Sequence, residues 1–445
     1  MVSTLGDLSL SRLRDRIGAS QRLQLLLFFP AAAYLLLLCH WATVDRLYWE
    51  YAGRLTQRSI TQGYLEWVDH RAGILQPVQT AAPLDHVLAP YSDFTSPYPP
   101  GALLLFAAVR LPFDGIREFS LAFGILDSLC VLAAALVLIH LVRRRSGVDP
   151  VVFMASVLTA WIVLTGTFLV TRFDPVVVLL VVLAMWAHDT RRPLGAGLSL
   201  GLGASLKIWP VLLVPVFALA SAGEPRARML VTRHTLLLGI GTIAGVALPH
   251  AAVLAMGTSP SDLFGYLTHY ADRPAEVESV QANLLAIGQV FGLTTATPTF
   301  DFGSWNLLTD NWQTLSRVFS LVFVVAYLAV LMRLFRATNP LKTEVWVMGF
   351  VVLSLILCSK VFSGEYLIWM MPFAMLAAWE RRWGVVACYA AALMILRIVY
   401  REWDAVIDAK PAGTLLVTAK NAACVAMAWM FARDIFAATR NGAAS

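Results

Sequence analysis

The stretch that decides the fold class is residues 118–141, EFSLAFGILDSLCVLAAALVLIHL, which is followed by three arginines at 143–145. A run of about 20 apolar residues is long enough for a helix to cross the hydrocarbon core of a bilayer. Arginines directly after such a run are typical of the cytoplasmic end of a membrane helix. The stretch therefore predicts a transmembrane helix whose carboxyl end lies in the cytoplasm.

The same pattern recurs along the whole chain. Hydrophobic residues make up 58% of the 445 residues and charged residues only 14%, with a mean hydropathy of +0.69. Because roughly a quarter of the residues of a soluble protein are charged, a soluble fold could not cover this much apolar surface. We therefore predict an all-α, polytopic integral membrane protein, residues 1–445 forming one domain with about twelve transmembrane helices. The predicted spans are 23–42, 118–141, 151–170, 175–190, 194–207, 209–222, 234–255, 314–335, 345–362, 366–380, 383–400 and 411–432.

The distribution of charge predicts the orientation. With both termini in the cytoplasm, more than half of the 34 basic residues but fewer than a third of the 28 acidic ones lie on the cytoplasmic side, as the positive-inside rule requires. Two long loops, about 43–117 and 256–312, then lie on the outer (periplasmic or extracellular) side of a plasma membrane. The segment Pro99–Phe113 is apolar but short. We predict an interfacial helix there, because a further crossing would move Arg143–Arg145 to the outer side.

Composition and spacing argue against several kinds of site. The net charge of +6 comes from short arginine clusters between apolar spans, so no contiguous basic face for nucleic acid is indicated. The five cysteines form no C-x-x-C pair, the histidines show no metal-ligand spacing, and no D-x-D triplet occurs. Glu276 and Glu278 are the nearest approach to an acidic metal motif. We therefore expect neither a cofactor nor a metal requirement.

Charged residues inside or at the ends of apolar spans are the strongest functional signal. In the predicted topology they all lie towards the outer leaflet, where an unpaired charge costs roughly 3 kcal/mol. Four cations at one depth favour an anion held at the outer membrane surface, and a lipid phosphate is the natural candidate. Internal ion pairs or snorkelling side chains are the structural alternative. The residues concerned are Arg172, Asp174, Lys207, Lys360, Glu365 and Arg397.

The two outer loops contain the remaining candidates. Asp45 follows the first span at the start of a short amphipathic helix, where a carboxylate with restricted solvation can act as a base; a helix-capping aspartate is the alternative. Asp93 precedes the turn SPYPPG (96–101), whose prolines fix the backbone. In the second loop, Arg273 and Glu278 could bind a polar substrate, and a solvated loop is the alternative.

The order of these motifs resembles the GT-C superfamily of membrane glycosyltransferases, and most closely glycosyltransferase family 87, from about Asp45 to Pro372. Family 87 includes α-mannosyltransferases that use polyprenyl phosphate mannose. The shared motifs are Asp45 in V-D-x-x-Y-W, Y-P-P at 98–100, Lys207 in L-K-x-x-P, and K-V-F-S-x-x-Y-L-I-W at 360–369. The chain departs from many relatives at Gly364-Glu365, where they have Pro-Gln. The stretch T-R-F-D at 171–174 occurs in only some branches.

The resemblance implies an inverting enzyme that moves mannose from a polyprenyl monophosphate donor to a lipid-linked or glycan acceptor at the outer face, without a metal. It implies Asp45 as the base. The donor phosphate would then be held by Lys207, Arg172, Lys360 and Arg273. The sugar and acceptor would be bound by Asp93, Tyr98, Asp174, Glu278, Glu365 and Tyr366.

Two alternatives remain open at this stage. One is an arabinofuranosyl- or glucosyltransferase that uses the same type of donor. The other is a lipid or sugar transporter or flippase, which is also polytopic and carries buried charges. Transporters usually show two halves related by internal symmetry, with charges near the bilayer midplane. This chain shows no such repeat, and its charges cluster at one surface, which favours the enzyme.

Overall fold

The computed structural model describes residues 26, 28–44, 46–56, 88–113, 115–220, 232–310, 312–337 and 340–438. Their main feature is a large bundle of helices, as the composition predicted. Two 3-10 helices, Trp209–Leu213 and Gly364–Met370, lead directly into the α-helices Val214–Ala220 and Met371–Trp379. The helices are α1 (Phe29–Trp41), α2 (Arg46–Thr56), α3 (Pro100–Arg110), α4 (Ile116–Ser146), α5 (Val151–Thr165), α6 (Phe168–Thr171), α7 (Asp174–Asp189), α8 (Pro193–Leu206), α9 (Val214–Ala220), α10 (Arg233–Ala255), α11 (Gly265–Asp272), α12 (Val280–Val290), α13 (Trp312–Arg336), α14 (Pro340–Cys358), α15 (Met371–Trp379), α16 (Trp383–Arg401), α17 (Trp403–Ile407) and α18 (Pro411–Ala438).

Many of these helices have the length and composition of membrane spans. Within the described residues, α4, α10, α13, α16 and α18 are long and apolar enough to cross a bilayer. Shorter apolar helices of 10–17 residues include α1, α3, α5, α8 and α12. The outer face of α13 exposes Val318, Leu321 and Val325, which suits a lipid environment better than water. The membrane class is thus confirmed, and the number of twelve crossings stays a prediction.

Glycines bring α8 and α10 into close contact. A Cβ atom added at Gly197 would lie 2.0 Å from the backbone oxygen of Leu238, and one at Gly201 would lie 2.2 Å from that of Thr242. Helices can approach this closely only where neither carries a side chain at the contact, as in other membrane bundles. This packing fixes the position of α8, whose carboxyl end leads into Lys207.

A buried arginine joins α2 to α3. Arg110 is 1% exposed, donates from Nη1 to the backbone oxygen of Trp49 at 2.6 Å, and stacks over the Trp49 ring with its Cζ 3.3 Å from the centroid. The sequence predicted a helix within Pro99–Phe113, and the structure places one at Pro100–Arg110. Its predicted position at the membrane surface stays a prediction.

The second predicted outer loop contains a small antiparallel sheet, a local exception within a fold that is otherwise helical, as predicted. Its strands are β1 (Ala275–Glu276), β2 (Thr297–Asp301) and β3 (Ser304–Leu308), in the order β1-β3-β2. Phe302 and Gly303 both have positive φ in the turn between β2 and β3, which is the geometry of a tight hairpin. Strand β1 has only two residues, too few to show an alternating pattern in the sequence.

The ends of the helices carry two separate polar regions. At one end, which we call the arginine-rich end, Asp189 pairs with Arg144 and Arg145 at 3.2 and 2.9 Å. Glu344 lies 3.0 Å from Arg145 and 3.2 Å from His188. These pairs join the carboxyl ends of α4 and α7 to the amino end of α14. The opposite ends of α7, α8 and α14 meet around Asp174 and Lys207, in what we call the site end.

Candidate active site

The centre of the site end is a buried ion pair between Asp174 and Lys207. Asp174 begins α7, and Lys207 directly follows α8. Lys207 Nζ lies 2.7 Å from Asp174 Oδ1, and the side chains are 15% and 0% exposed. Trp369 Nε1 donates to the same oxygen at 2.5 Å. A buried charge is tolerated only when it is paired and hydrogen-bonded, so the cation and the carboxylate depend on each other.

Aromatic rings surround the Lys207 ammonium group. Its Nζ lies 5.1 Å from the ring centroid of Phe173, 4.6 Å from that of Tyr366 and 5.1 Å from that of Trp369. The rings of Tyr366 and Trp369 are stacked at 4.2 Å, and Trp209 continues the stack at 5.1 Å from Trp369. Ring faces stabilise a cation within about 6 Å. The ammonium group is therefore held in one place.

Glu365 and Arg172 extend this cluster. Glu365 is 7% exposed, and its Oε2 accepts a hydrogen bond from Ser363 Oγ at 2.5 Å. Its carboxylate is attracted by Arg172 and Lys207 and repelled by Asp174. The structure thus brings together Arg172, Asp174, Lys207, Glu365 and Tyr366, all of which were predicted from the sequence.

Tyr98 lies beside the same cluster. Its ring contacts Phe173 edge-on at 5.6 Å and Tyr48 edge-on at 5.6 Å. Val44, just before Asp45, donates its N–H to Ser120 Oγ at 3.3 Å. Asp45 itself lies outside the described residues. Val44 and Tyr48, its neighbours in sequence, are both buried in this core.

Asp93 has a local role in the structure. Its side chain is exposed, and its Oδ2 accepts a hydrogen bond from the Ala89 N–H at 2.7 Å. Its own N–H donates to the Ala89 oxygen at 2.9 Å. These contacts close a turn ahead of Y-P-P. The structure therefore shows Asp93 as a surface turn cap, apart from the buried cluster.

Arg273 reaches the cluster from the small sheet. It donates to Ser304 Oγ and, at 3.5 Å, to Asn306 Oδ1. Its Nη2 lies 3.5 Å from Glu276 Oε1. Arg273 is 12% exposed at its side chain and Glu276 is 8% exposed. The hairpin thus orients an arginine whose partner carboxylate is buried behind it.

Glu278 is held by two residues from the last helices. Tyr400 donates its hydroxyl to Glu278 Oε2 at 2.8 Å. Lys420 Nζ lies 3.6 Å from Glu278 Oε1 and donates to the Glu278 backbone oxygen at 3.1 Å. The Lys420 side chain is 0% exposed. These contacts fix the outer segment around β1 against α16 and α18.

Lys360 lies on the other side of Arg273. Its Nζ donates to the Ala271 backbone oxygen at 2.7 Å and faces the rings of Tyr270 and Trp312 at 5.4 and 5.0 Å. The neighbouring Arg273 guanidinium repels the Lys360 ammonium group, and the Asp272 carboxylate attracts it. These contacts join Lys360 to the segment around Arg273.

With this geometry in place, comparison with known proteins identifies the family. A family model, Glycosyltransferase family 87, matches residues 94–359, which is more than half of the chain. The chain belongs to glycosyltransferase family 87. No curated protein and no solved structure matches it. The predicted GT-C-like family 87 identity is therefore confirmed, and the protein is a membrane glycosyltransferase that needs a sugar donor and an acceptor.

The family match covers only part of the cluster in this family 87 enzyme. Arg172, Asp174, Lys207, Arg273 and Glu278 lie inside the matched range. The segment from Lys360 to Trp369 and the helices that carry Tyr400 and Lys420 follow it. The structure nevertheless places both groups in one cluster, because Glu365 interacts electrostatically with Asp174, Glu276 and Glu278.

Several carboxylate oxygens of the cluster have no donor. Among the described residues, Asp174 Oδ2, Glu276 Oε2 and Glu278 Oε1 are buried without a hydrogen-bond partner. Such atoms are rare in folded proteins and mark positions where a ligand or water completes the bonding. The described residues contain no group of three or more His, Cys, Asp or Glu side chains arranged to hold a metal ion. Carboxylate oxygens of this kind can accept hydrogen bonds from the hydroxyl groups of a ligand.

Sequence reasoning missed three residues of this family 87 site. Lys420 lies within the predicted span 411–432 and carried the same signal as Lys207, a lysine in an apolar run. Trp369 was seen only as part of a motif. Asp127 in α4 is fully buried, both its carboxylate oxygens lack a partner among the described residues, and it interacts electrostatically with Asp174. An aspartate inside the quoted span 118–141 was itself a signal.

Proposed function

We propose that this family 87 enzyme transfers mannose from a polyprenyl monophosphate donor to a hydroxyl of a lipid-linked or glycan acceptor, with inversion at the anomeric carbon. The acceptor oxygen forms its bond to that carbon as the bond from carbon to phosphate oxygen breaks. The hydroxyl proton passes to a base, and the electron pair passes to the departing phosphate. The observation that carries the proposal is the Lys207 ammonium group, fixed between Asp174 and three aromatic rings.

The cations of the cluster are more exposed than its carboxylates, which suits the binding of the donor phosphate. Lys207, Arg172 and Arg273 are each partly exposed, whereas Asp174, Glu365 and Glu276 are buried. The cations are therefore the more accessible groups of the cluster. Preorganised cations of this kind stabilise the negative charge that develops on the leaving group. Lys360, beside Arg273, supplies the fourth positive charge, and with four cations the reaction needs no metal.

Asp45 is the proposed base. The family resemblance assigns this role to it, and its flanking residues Val44 and Tyr48 are packed against the core that holds Phe173. Phe173 directly precedes Asp174, so the chain that follows Asp45 comes close to the proposed donor site at Tyr48. A base contributes about 10²–10⁴-fold to turnover when it takes the proton in the transition state.

The sugar and acceptor are proposed to bind among the carboxylates and rings. Carboxylates accept hydrogen bonds from sugar hydroxyls, and aromatic rings cover the apolar face of a pyranose. Asp174, Glu278 and Glu365 supply the first kind of contact, and Tyr98 and Tyr366 the second. Asp93 was also predicted here, but its contacts to Ala89 make it a turn cap, so we leave it out of the proposal.

The proposed location follows from the two ends of the bundle. The arginine-rich end lies in the cytoplasm with both termini, as the positive-inside rule favours. The site end then faces the periplasmic or extracellular side of the plasma membrane, where the donor and acceptor lipids present their head groups. Family membership favours an enzyme over the transporter alternative. An arabinofuranosyl or glucosyl donor of the same type remains the competing substrate.

The experiment incubates the purified enzyme with polyprenyl phosphates of mannose, glucose and arabinofuranose and identifies the products. Mannose transfer with inverted configuration supports the proposal, and selective transfer of another sugar contradicts the mannose assignment. In the same assay, we expect Asp45→Asn to lower turnover by about 10²–10⁴-fold because the amide takes no proton at neutral pH.

Asp93→Asn is the matched control for the base, because it makes the same chemical change in a surface turn. We expect it to keep near wild-type turnover at equal folded concentration. If Asp45→Asn keeps more than about a tenth of wild-type turnover, its loss is smaller than base catalysis produces, and another residue is the base. Glu278→Gln tests the next carboxylate in the cluster.

A further inference from the structure

The backbone holds Glu276 in a single position. Its N–H donates to the Lys360 backbone oxygen at 2.8 Å, and it pairs with Asn306 in the small sheet. The residue is 6% exposed. Its backbone is therefore fixed by the sheet, and its side chain is buried.

The two oxygens of Glu276 differ. Oε1 lies 3.5 Å from Arg273 Nη2, whereas Oε2 is buried and has no hydrogen-bond partner among the described residues. A buried hydrogen-bond acceptor without a partner destabilises the protein unless a ligand or water supplies a donor. An N–H or O–H group of a ligand would supply such a donor.

The position of Arg273 links Glu276 to the donor substrate. In the proposed function, this arginine faces the donor phosphate, and in a glycosyl phosphate the sugar hydroxyls lie next to that phosphate. An acceptor oxygen beside the phosphate-binding arginine is therefore in position to contact the sugar being transferred. Hydrogen-bond-accepting groups further from Arg273 would contact the acceptor substrate instead.

We propose that Glu276 accepts a hydrogen bond through Oε2 from a hydroxyl group of the transferred sugar, and that the charge of Glu276 makes donor binding depend on pH. This inference rests on the proposed function. Glu276 is then a specificity-determining residue of the donor sugar site, in addition to the residues that the family resemblance indicated.

Burial raises the pKa of Glu276 to about 7, with Arg273 acting in the opposite direction. The carboxylate accepts the sugar hydroxyl when it is ionised, so binding strengthens above this pKa and weakens below it. Titration of lysine side chains at higher pH would confuse the result, so pH 7.5 is the upper limit of the test. The groups that interact with Glu276 are Arg273, Glu278, Glu365 and Lys420, together with Tyr270, Tyr366 and Tyr400.

The test measures kcat and KM for the donor between pH 6 and pH 7.5 with the purified enzyme. The donor is the polyprenyl phosphate sugar that proves active in the panel, and its phosphodiester does not titrate in this range. With a pKa of about 7, the ionised fraction falls about eight-fold from pH 7.5 to pH 6, and we expect the wild-type KM to rise by about that factor. The outcome for Glu276→Gln is a raised KM that no longer changes with pH.

Glu276→Asp is the second variant, because it keeps a titrating carboxylate on the same strand. We expect its KM to remain dependent on pH even where Glu276→Gln folds poorly. A wild-type KM that is flat from pH 6 to 7.5, or a Glu276→Gln enzyme with the wild-type KM profile, overturns the inference. A wild-type enzyme that transfers no sugar from any polyprenyl phosphate refutes the proposed function instead.

Discussion

The two polar ends of this molecule use their buried carboxylates differently. At the arginine-rich end, each oxygen of Asp189 and Glu344 lies within 3.2 Å of a basic side chain, although Glu344 Oε2, beside His188, makes no hydrogen bond. At the site end, Asp174 places both of its donors on one oxygen and leaves the other bare, and Glu276 likewise has one bare oxygen. Carboxylates of the first kind join helices to one another. Carboxylates of the second kind retain capacity to bind a ligand.

The chain also places its cations differently at the two ends. Arg145 bridges Asp189 and Glu344, and so contributes to the contact between α4, α7 and α14. Lys207 also pairs with a carboxylate, but it follows its helix and lies within a group of aromatic rings. We infer that ion pairs at the arginine-rich end serve the fold, whereas those at the site end serve both the fold and the reaction.

The largest effect is expected for Lys207→Met. This variant leaves Asp174 buried without its cation, and breaking a buried pair in this way lowers the free energy of unfolding by about 3–5 kcal/mol. Adding Asp174→Asn should restore most of the stability, since the uncompensated charge is removed. Turnover should stay low in the double variant, because the phosphate still lacks its ammonium group. Thermal unfolding and product formation, measured on the same preparations, separate the two effects.

Recovery of turnover in the Lys207→Met, Asp174→Asn double variant would contradict the role of Lys207 in the reaction. The Asp174–Lys207 pair would then be a purely structural contact, like the ion pairs of the arginine-rich end. The comparison between the two ends would then fail at its main point.

A smaller effect is expected for Arg145→Met. Glu344 is 2% exposed at its side chain and loses one of its partners, but His188 remains beside it. We expect a loss of about 1–3 kcal/mol in the free energy of unfolding and no change in turnover per folded molecule. Arg143→Met is the matched control, because its pair with Asp149 is 45% and 50% exposed and contributes about 0–1 kcal/mol. A fall in turnover at equal folded concentration would show that the arginine-rich end takes part in the reaction.

The membrane class and much of the site end could be predicted from the sequence. A charge in an apolar run is conspicuous because lipid cannot solvate it, and this signal found Arg172, Asp174, Lys207 and Glu365. The same signal would have found Lys420 and Asp127, had it been applied to every span. Asp93 gives a weaker signal, since a carboxylate next to a rigid turn can also cap that turn, and its role in binding stays a prediction.

Other features depend on tertiary contacts that a sequence does not display. Glu276 was seen only as half of an acidic pair. Its burial depends on Lys360 and Asn306, which are far away in the chain. The sheet could not be predicted from β1, whose two residues gain their strand geometry from β3. Spacing within one segment cannot show which segments will meet.

The most direct test of the account is the affinity of the enzyme for polyprenyl phosphate, the leaving group of the proposed reaction. It is measured by titration calorimetry in lipid nanodiscs of one composition. One charge-assisted contact is worth about 1.5–3 kcal/mol, so the Lys207→Met, Asp174→Asn double variant should bind about ten- to a hundred-fold more weakly than wild type. Arg145→Met should bind as wild type does. Equal affinity in all three proteins, or a loss confined to Arg145→Met, would contradict a phosphate site at Lys207.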